Sequence, residues 1–406
     1  MANDTITSVK GFTAAALHCG IKTTKKPDLA ILVSAVPAAA AAVFTSNAVV
    51  GAPVIVGRKH ILSHRVRACV INSGCANVCT GERGITDAFE MCQLTATGLV
   101  AEDSEFPISQ VLPFSTGVIG HFLPMDKIRA GIPRVIARLS DSAAAGTAFA
   151  QGILTTDLVQ KTTRTTLTLG GQKVTIAGCC KGSGMIAPNM ATMLAFIATD
   201  AAMHPTILQK TLKQIADQTF NCVTVDQHTS TSDSLVVLAN GLAGNRQVKT
   251  AGAELAQFSK ALYEVCDSLA RQIARDGEGA TKLVRVFVTG AASAADAKRA
   301  AEAIANSPLD KTAIHGGDPN WGRFVSAAGY SGARMIVEKS RCKIGPIVVF
   351  RNGCPTAADL SKVQAIMQRQ ELDITVDLGT GGRHAHRMYT CDLSREYIRI
   401  NADYHT

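Results

Sequence analysis

Apolar positions recur along this chain with two periods. Over residues 253–274 they step by three and four, at Leu255, Phe258, Leu262, Val265, Leu269 and Ile273. That spacing places them on one face of an α-helix, and Asp276-Gly277 supplies its stop. A second helix is predicted over Asp296–Asn306, closed by Ser307-Pro308. Shorter apolar runs read as strands: Val54–Gly57, Ala68–Ile71, Lys173–Ala177, Met193–Ile197, Leu235–Ala239, Leu283–Thr289, Ile347–Arg351 and Ile374–Asp377. Helices and strands that alternate in this way predict a mixed α/β protein.

The longest apolar run, Leu29–Phe44, follows Lys25-Lys26 and resembles the core of a signal segment. It contains Ser34 and Pro37 and is shorter than the ~20 apolar residues a spanning helix needs. Ala30–Val36 is predicted as a buried strand, and Pro37-Ala-Ala-Ala as the start of a helix with Pro in its first turn. The N-terminus carries an early Asp4 and no arginine, so it does not read as a targeting peptide. A soluble, cytoplasmic protein is the expectation. No repeat stands out. The nearest thing to a domain boundary is Gly290, before Ala-Ala-Ser-Ala-Ala, which divides the chain into 1–289 and 290–406.

Composition narrows the function classes. With 47% hydrophobic and 18% charged residues the 406-residue chain should fold. Aromatics are 5%, with one tryptophan, Trp321. The core is therefore aliphatic, and modules that stack nucleic-acid bases on aromatic rings are disfavoured. The net charge of +9 is not gathered into a basic block, so it suits small anionic substrates such as dicarboxylates better than nucleic acid. Twelve cysteines include no C-x-x-C pair and read as free, mostly buried thiols of a reducing compartment. His384-Ala-His386 would share a strand face, which motivates a metal-binding or redox alternative. No Cys/His spacing matches a zinc site, however, and Arg383 and Arg387 flank the pair. No metal is expected. The glycine clusters at 379–382 and 181–184 complete neither a dinucleotide fingerprint nor a P-loop.

The segment richest in chemistry is Lys181-Gly-Ser-Gly-Met-Ile-Ala-Pro-Asn-Met-Ala191-Thr192, followed by the apolar Met193–Ile197. A Gly/Pro/Asn loop runs into a strand, with Thr192 at the junction behind a small Ala191. A strained peptide there could undergo an N-to-O acyl shift, and cleavage would free the Thr192 α-amine. An α-amine has a pKa of ~7.7–8.0, against ~10.4 for lysine, so it can act as base for its own hydroxyl near neutral pH. A threonine at the start of a strand is equally an ordinary β-former, and the residues alone leave both readings open.

That string resembles the self-processing motif of the ornithine acetyltransferase family, also called glutamate N-acetyltransferase or ArgJ. Similar to the family, and in its order, are Asn72-Ser-Gly-Cys-Ala-Asn77-Val-Cys-Thr-Gly81, Ser115-Thr116-Gly117-Val-Ile-Gly120, Leu154-Thr155-Thr156-Asp157, Asp276-Gly-Glu278-Gly-Ala-Thr-Lys282, His315-Gly-Gly-Asp-Pro-Asn-Trp-Gly-Arg323 and Asn401-Ala-Asp-Tyr-His-Thr406. The resemblance spans residues 5–406. It implies an N-terminal-nucleophile-like layered sandwich of helices and mixed sheets, with a smaller C-terminal α/β domain. It also implies a cut between Ala191 and Thr192, giving an α chain 1–191 and a β chain from 192. Thr192 would take the acetyl group from N2-acetylornithine and pass it to glutamate in a ping-pong cycle of arginine biosynthesis. No cofactor is implied, and acetyl-CoA could serve as a second acetyl donor. Thr116 and Gly117 would form the oxyanion hole. Thr155, Lys181, Thr192, Glu278, Asn401 and Thr406 would bind substrate, and two α and two β chains would assemble. No nucleic acid or membrane partner is implied.

Three positions depart from the family pattern: Cys75 in place of Asn, Tyr389 in place of Trp, and His405 in the tail. A rival reading is an amidase or aminopeptidase with the same N-terminal threonine, which would pass its acyl group to water. The family-type ending and Glu278 weigh against it.

Overall fold

The computed structural model describes residues 4–100, 105–187 and 193–403. Its first sheet is built from β1 (Phe12–Leu17), β2 (Leu29–Phe44), β3 (Arg65–Cys75), β4 (Val111–Val118), β5 (Lys161–Leu169), β6 (Gln172–Lys181), β7 (Leu194–Thr199) and β8 (Ser234–Ala239). The second contains β9 (Leu283–Ala291), β10 (Arg341–Ile344), β11 (Ile347–Arg351), β12 (Cys354–Pro355), β13 (Glu371–Asp377) and β14 (His384–Cys391). The helices are α1 (Ala52–His60), α2 (Gly81–Leu99), α3 (Met125–Ile136), α4 (Ala143–Gly152), α5 (Pro205–Gln218), α6 (Ala253–Arg275), α7 (Ala294–Asn306), α8 (Pro308–Gly316), α9 (Trp321–Tyr330), α10 (Leu360–Met367) and α11 (Arg395–Asp403).

Strand β2 organises the first sheet. Its first half pairs with β1 and β3, its second half pairs with β8, and its register with β3 shifts between Val33 and Ala38. The order β4-β3-β2-β8-β7-β6-β5 therefore folds back on itself. Phe114 of β4 meets Phe196 of β7 edge-on, with ring centroids 4.9 Å apart, although three strands, β3, β2 and β8, lie between the two along the sheet. Alternate residues face opposite sides of a strand. Ala30, Leu32, Cys69 and Ile71 share one inner core with Phe196, Ala198, Val236 and Leu238. The outer faces pack under helices: Ile31 and Val70 against α2 and α3, and Ile197 and Val237 against α5 and α6. The result is helix, sheet, sheet, helix, the layered sandwich of mixed α/β class.

The six-stranded sheet, in the order β12-β11-β10-β13-β9-β14, has its own core with α7, α9 and α10. Its strand β9, between β13 and the edge strand β14, begins at Leu283. Gly290, the boundary expected from the sequence, lies inside β9 of this second unit. The chain switches units directly after α6, whose apolar stripe Phe258, Leu262, Val265, Leu269 and Ile273 is buried under the first sheet. Burying each such side chain contributes about 1.5–3 kcal/mol.

Two local expectations fail. Pro37-Ala-Ala-Ala continues β2 instead of opening a helix, because β8 supplies backbone partners for Ala39–Phe44. Val54–Gly57 lies in helix α1, where Pro53 sits in the first turn. Among the described residues, no helix is long and apolar enough to cross a membrane, and all twelve cysteines are free thiols, nine of them buried.

Candidate active site

The cleft at the end of the first sheet has a volume of about 360 Å³ and is lined by Thr116, Gly117, Val118, Ile119, Thr155, Thr156, Lys181, Gly184, Met185, Glu278 and Asn401. Every residue proposed from the sequence that lies within the described part lines this one cleft. Ala191, Thr192 and Thr406 lie outside the described residues. The described chain resumes at Met193, and Leu194 pairs with Lys181 across β6 and β7.

Thr116 and Gly117 end β4, paired in parallel with Ser73 and Gly74 of β3. Gly117 has φ +132°, and a Cβ there would come within 2.3–2.7 Å of the Gly74 and Cys75 backbone. Only glycine fits so close an approach in that conformation. The neighbouring turn is held by Asn72, whose side-chain amide donates to the Cys75 carbonyl at 2.8 Å and whose oxygen accepts from the Ser115 hydroxyl at 2.5 Å.

Lys181 ends β6 with its side chain buried. Its ammonium donates to the Thr116 hydroxyl at 3.4 Å. Burial pushes its pKa below the ordinary 10.5, against the pull of Asp157, Asp233 and Glu278. Below it lies a buried charge cluster: Lys161 bonds Asp157 at 2.7 Å and Asp276 at 2.5 Å. Burial works against the Asp157 charge, but the Lys181 and Lys161 ammonium groups hold its pKa at about 2. Asp157 accepts from the Gly182 N–H at 2.7 Å and the Thr155 N–H at 3.1 Å, and Asp276 from the Leu158 N–H at 3.2 Å. One ion cluster thereby fixes the loops that carry Thr155, Lys181 and Glu278.

Glu278 follows the α6 stop, and its N–H donates to the Ser183 carbonyl at 2.9 Å. Its carboxylate accepts from the Asn401 side-chain amide at 2.9 Å, so α11 returns from the second unit to close the cleft. Gly184 makes room for that carboxylate, since a Cβ there would stand 2.3–2.5 Å from it. Met185 adopts φ +56°, held by its N–H bond to Asp226 at 2.7 Å.

Several contributors escaped the sequence reading. Asp157 and Asp276 stood inside quoted motifs without an assigned role. Lys161, four residues after Asp157, carried an i, i+4 charge signal but sits on a strand. Lys22 donates to the Pro27 and Leu154 carbonyls, each at 2.8 Å, beside Thr155, and burial lowers its pKa to about 8. Of the departures, Cys75 adjoins the turn behind Gly117 with its thiol toward the His121 carbonyl at 3.3 Å, and Tyr389 is buried, bonding Asp267 at 2.7 Å away from the cleft. His405 lies outside the described residues. His386 approaches Cys222 at 3.9 Å. Among the described residues, no three His, Cys, Asp or Glu side chains are grouped to hold a metal ion.

The model of the ArgJ family matches residues 13–406. The chain belongs to the ArgJ family. It is 43% identical to an arginine biosynthesis bifunctional protein ArgJ from Geobacillus kaustophilus, over 100% of this chain and 97% of that protein. The protein of the same name from Geobacter sulfurreducens is 46% identical over 98% of this chain and 100% of its own length. Among solved structures, the ArgJ bifunctional protein from Bacillus halodurans is 44% identical with a TM-score of 0.50, over 52% of this chain and 98% of the solved one.

Proposed function

We propose that this ArgJ-family chain is an acetyltransferase that moves the acetyl group of N2-acetyl-L-ornithine to L-glutamate after cutting itself between Ala191 and Thr192. The observation that carries the reading is the convergence on one cleft of Thr116, Gly117, Thr155, Lys181, Glu278 and Asn401 from both sides of that bond. Self-cleavage also fits a solved relative that aligns over 98% of its own length yet spans 52% of this chain.

The chemistry follows from the groups present. The freed Thr192 amine takes the proton of its own hydroxyl, and the oxygen attacks the acetyl carbonyl. The Gly117 N–H and Thr116 hydroxyl face the negative charge that develops on the carbonyl oxygen. The substrate carboxylate meets the Lys181 ammonium, and the amino group of ornithine meets Glu278. Ornithine leaves, and glutamate attacks the acetyl-threonine ester in the second half-cycle. No cofactor takes part. The reading extends to a cytoplasmic assembly of two α and two β chains.

Acetyl-CoA as a second donor is favoured by one observation: relatives at 43% and 46% identity are named bifunctional. Purified protein is incubated with glutamate and either acetylornithine or acetyl-CoA, and N-acetylglutamate is measured. The expected result is product with acetylornithine, together with two bands on a denaturing gel and one band for Thr192→Ala. Hydrolysis of acetylornithine that leaves glutamate unacetylated refutes the transferase reading and restores the amidase.

A further inference from the structure

Helix α11 brings Asn401 to Glu278, yet none of its residues is buried. An element without buried side chains gains little from packing and opens at low cost, so polar contacts must hold it. Ser394, just before the helix, donates its hydroxyl to the Gly279 carbonyl at 2.6 Å. Further contacts run through Tyr397. Its hydroxyl donates to the Asp226 carboxylate at 3.4 Å, and its carbonyl accepts the Asn401 side-chain amide at 3.0 Å. That same amide bonds the Glu278 carboxylate. The Tyr397 backbone nitrogen passes over Gly279, where a Cβ would collide with it. Asp226 also holds the cleft wall: its two oxygens accept the Met185 N–H at 2.7 Å and the Ile186 N–H at 2.8 Å. One carboxylate thereby ties the loop after β6 to the helix that orients Glu278.

We propose that Asp226 and Tyr397 are positioning residues for recognition of the substrate's amino group, latching α11 so that Asn401 fixes the Glu278 carboxylate. Neither residue lines the cleft, so both act through Glu278. The proposal rests on the reading that Glu278 receives the free amino group of acetylornithine. With the latch closed, the carboxylate is set before substrate arrives. Without it, α11 spends part of its time undocked, and affinity falls by the fraction of molecules in the docked state. That loss falls only on substrates that bring an ammonium to Glu278.

The test compares two acetyl donors, N2-acetylornithine and N2-acetylnorvaline, which has the same carbon chain without the side-chain amine. The readout is the ratio of their kcat/KM values with glutamate as acceptor. Tyr397→Phe deletes one hydroxyl from a helix with no buried residue and should shrink the preference for acetylornithine about three- to tenfold, with the loss falling on KM more than on kcat. Asp226→Asn should shrink it at least as far, and adding Tyr397→Phe to it should cost little more, because the two groups act as one pair. A thermal melt checks that each variant is folded. A defect that is merely structural lowers both donors alike and leaves the ratio unchanged. A ratio that Tyr397→Phe shifts by less than about threefold overturns the latch while the wild type still prefers acetylornithine. A wild type that shows no preference between the donors overturns the Glu278 reading itself, and the latch with it.

Discussion

Replacing Lys161 with methionine keeps the volume of the side chain and deletes its charge. The ammonium is fully buried and bonds Asp157 at 2.7 Å and Asp276 at 2.5 Å, with side-chain exposures of 0% and 7% for the two acids. Asp157 is depressed from 3.8 to about 2. At ~1.36 kcal/mol per pKa unit, that shift is worth about 2–2.5 kcal/mol of stability. Because the folded value lies below the unfolded one, this contribution is complete above pH 3.8 and is lost as pH falls through about 2. Lys181 supplies part of it and remains in the variant. Removing Lys161 also leaves two buried carboxylates without their main partner, a change that costs about 3–5 kcal/mol. We expect Lys161→Met to lose about 3 kcal/mol at neutral pH, with the gap to wild type narrowing as acid neutralises the stranded carboxylates. Urea unfolding at several pH values reads this, in a Thr192→Ala background so that one chain unfolds. A loss below about 1 kcal/mol, or the same loss at every pH, refutes the role given to the cluster.

Three further outcomes are expected. Gly117→Ala forces a Cβ to within 2.3 Å of the Gly74 backbone and should lower turnover by about 10²–10³-fold through loss of an oxyanion donor; steady-state kinetics that match wild type refute it. Gly184→Ala drives a methyl into the Glu278 carboxylate and should raise the KM for acetylornithine about tenfold, checked by initial rates beside a thermal melt that shows the fold intact. Lys181 loses its proton below the ordinary 10.5, so kcat/KM should fall on the alkaline side within that range, and an alkaline limb that begins only above 10.5 contradicts the assignment.

What the sequence reveals here depends on range. Helix α6 announces itself through a stripe that needs only its own residues, and its observed span Ala253–Arg275 differs from the predicted one by a single residue. Pro37–Ala40 misleads because an alanine run has no period of its own, and its conformation is decided by β8, some two hundred residues away. The cleft residues became legible through motif likeness rather than pattern, since Thr155, Lys181 and Glu278 look like ordinary loop residues one at a time. The Lys161–Asp276 pair left no local trace, because a separation of 115 residues closes only in the folded chain.

Strands β6 and β7 lie side by side through six residue pairs, Ile176–Lys181 against Leu194–Thr199, with the proposed cut in the loop that joins them. In the two-chain form, the centre of the first sheet becomes an intermolecular seam, sealed also by β2 with β8 and by Lys161 with Asp276. Unfolding then becomes dissociation, and its midpoint falls with dilution. Refolding becomes a second-order search for a sheet whose middle strands belong to different chains. The uncut chain, which folds with the two strands still tethered, has the faster route, so the proposed cut would record a completed fold and commit the protein to it.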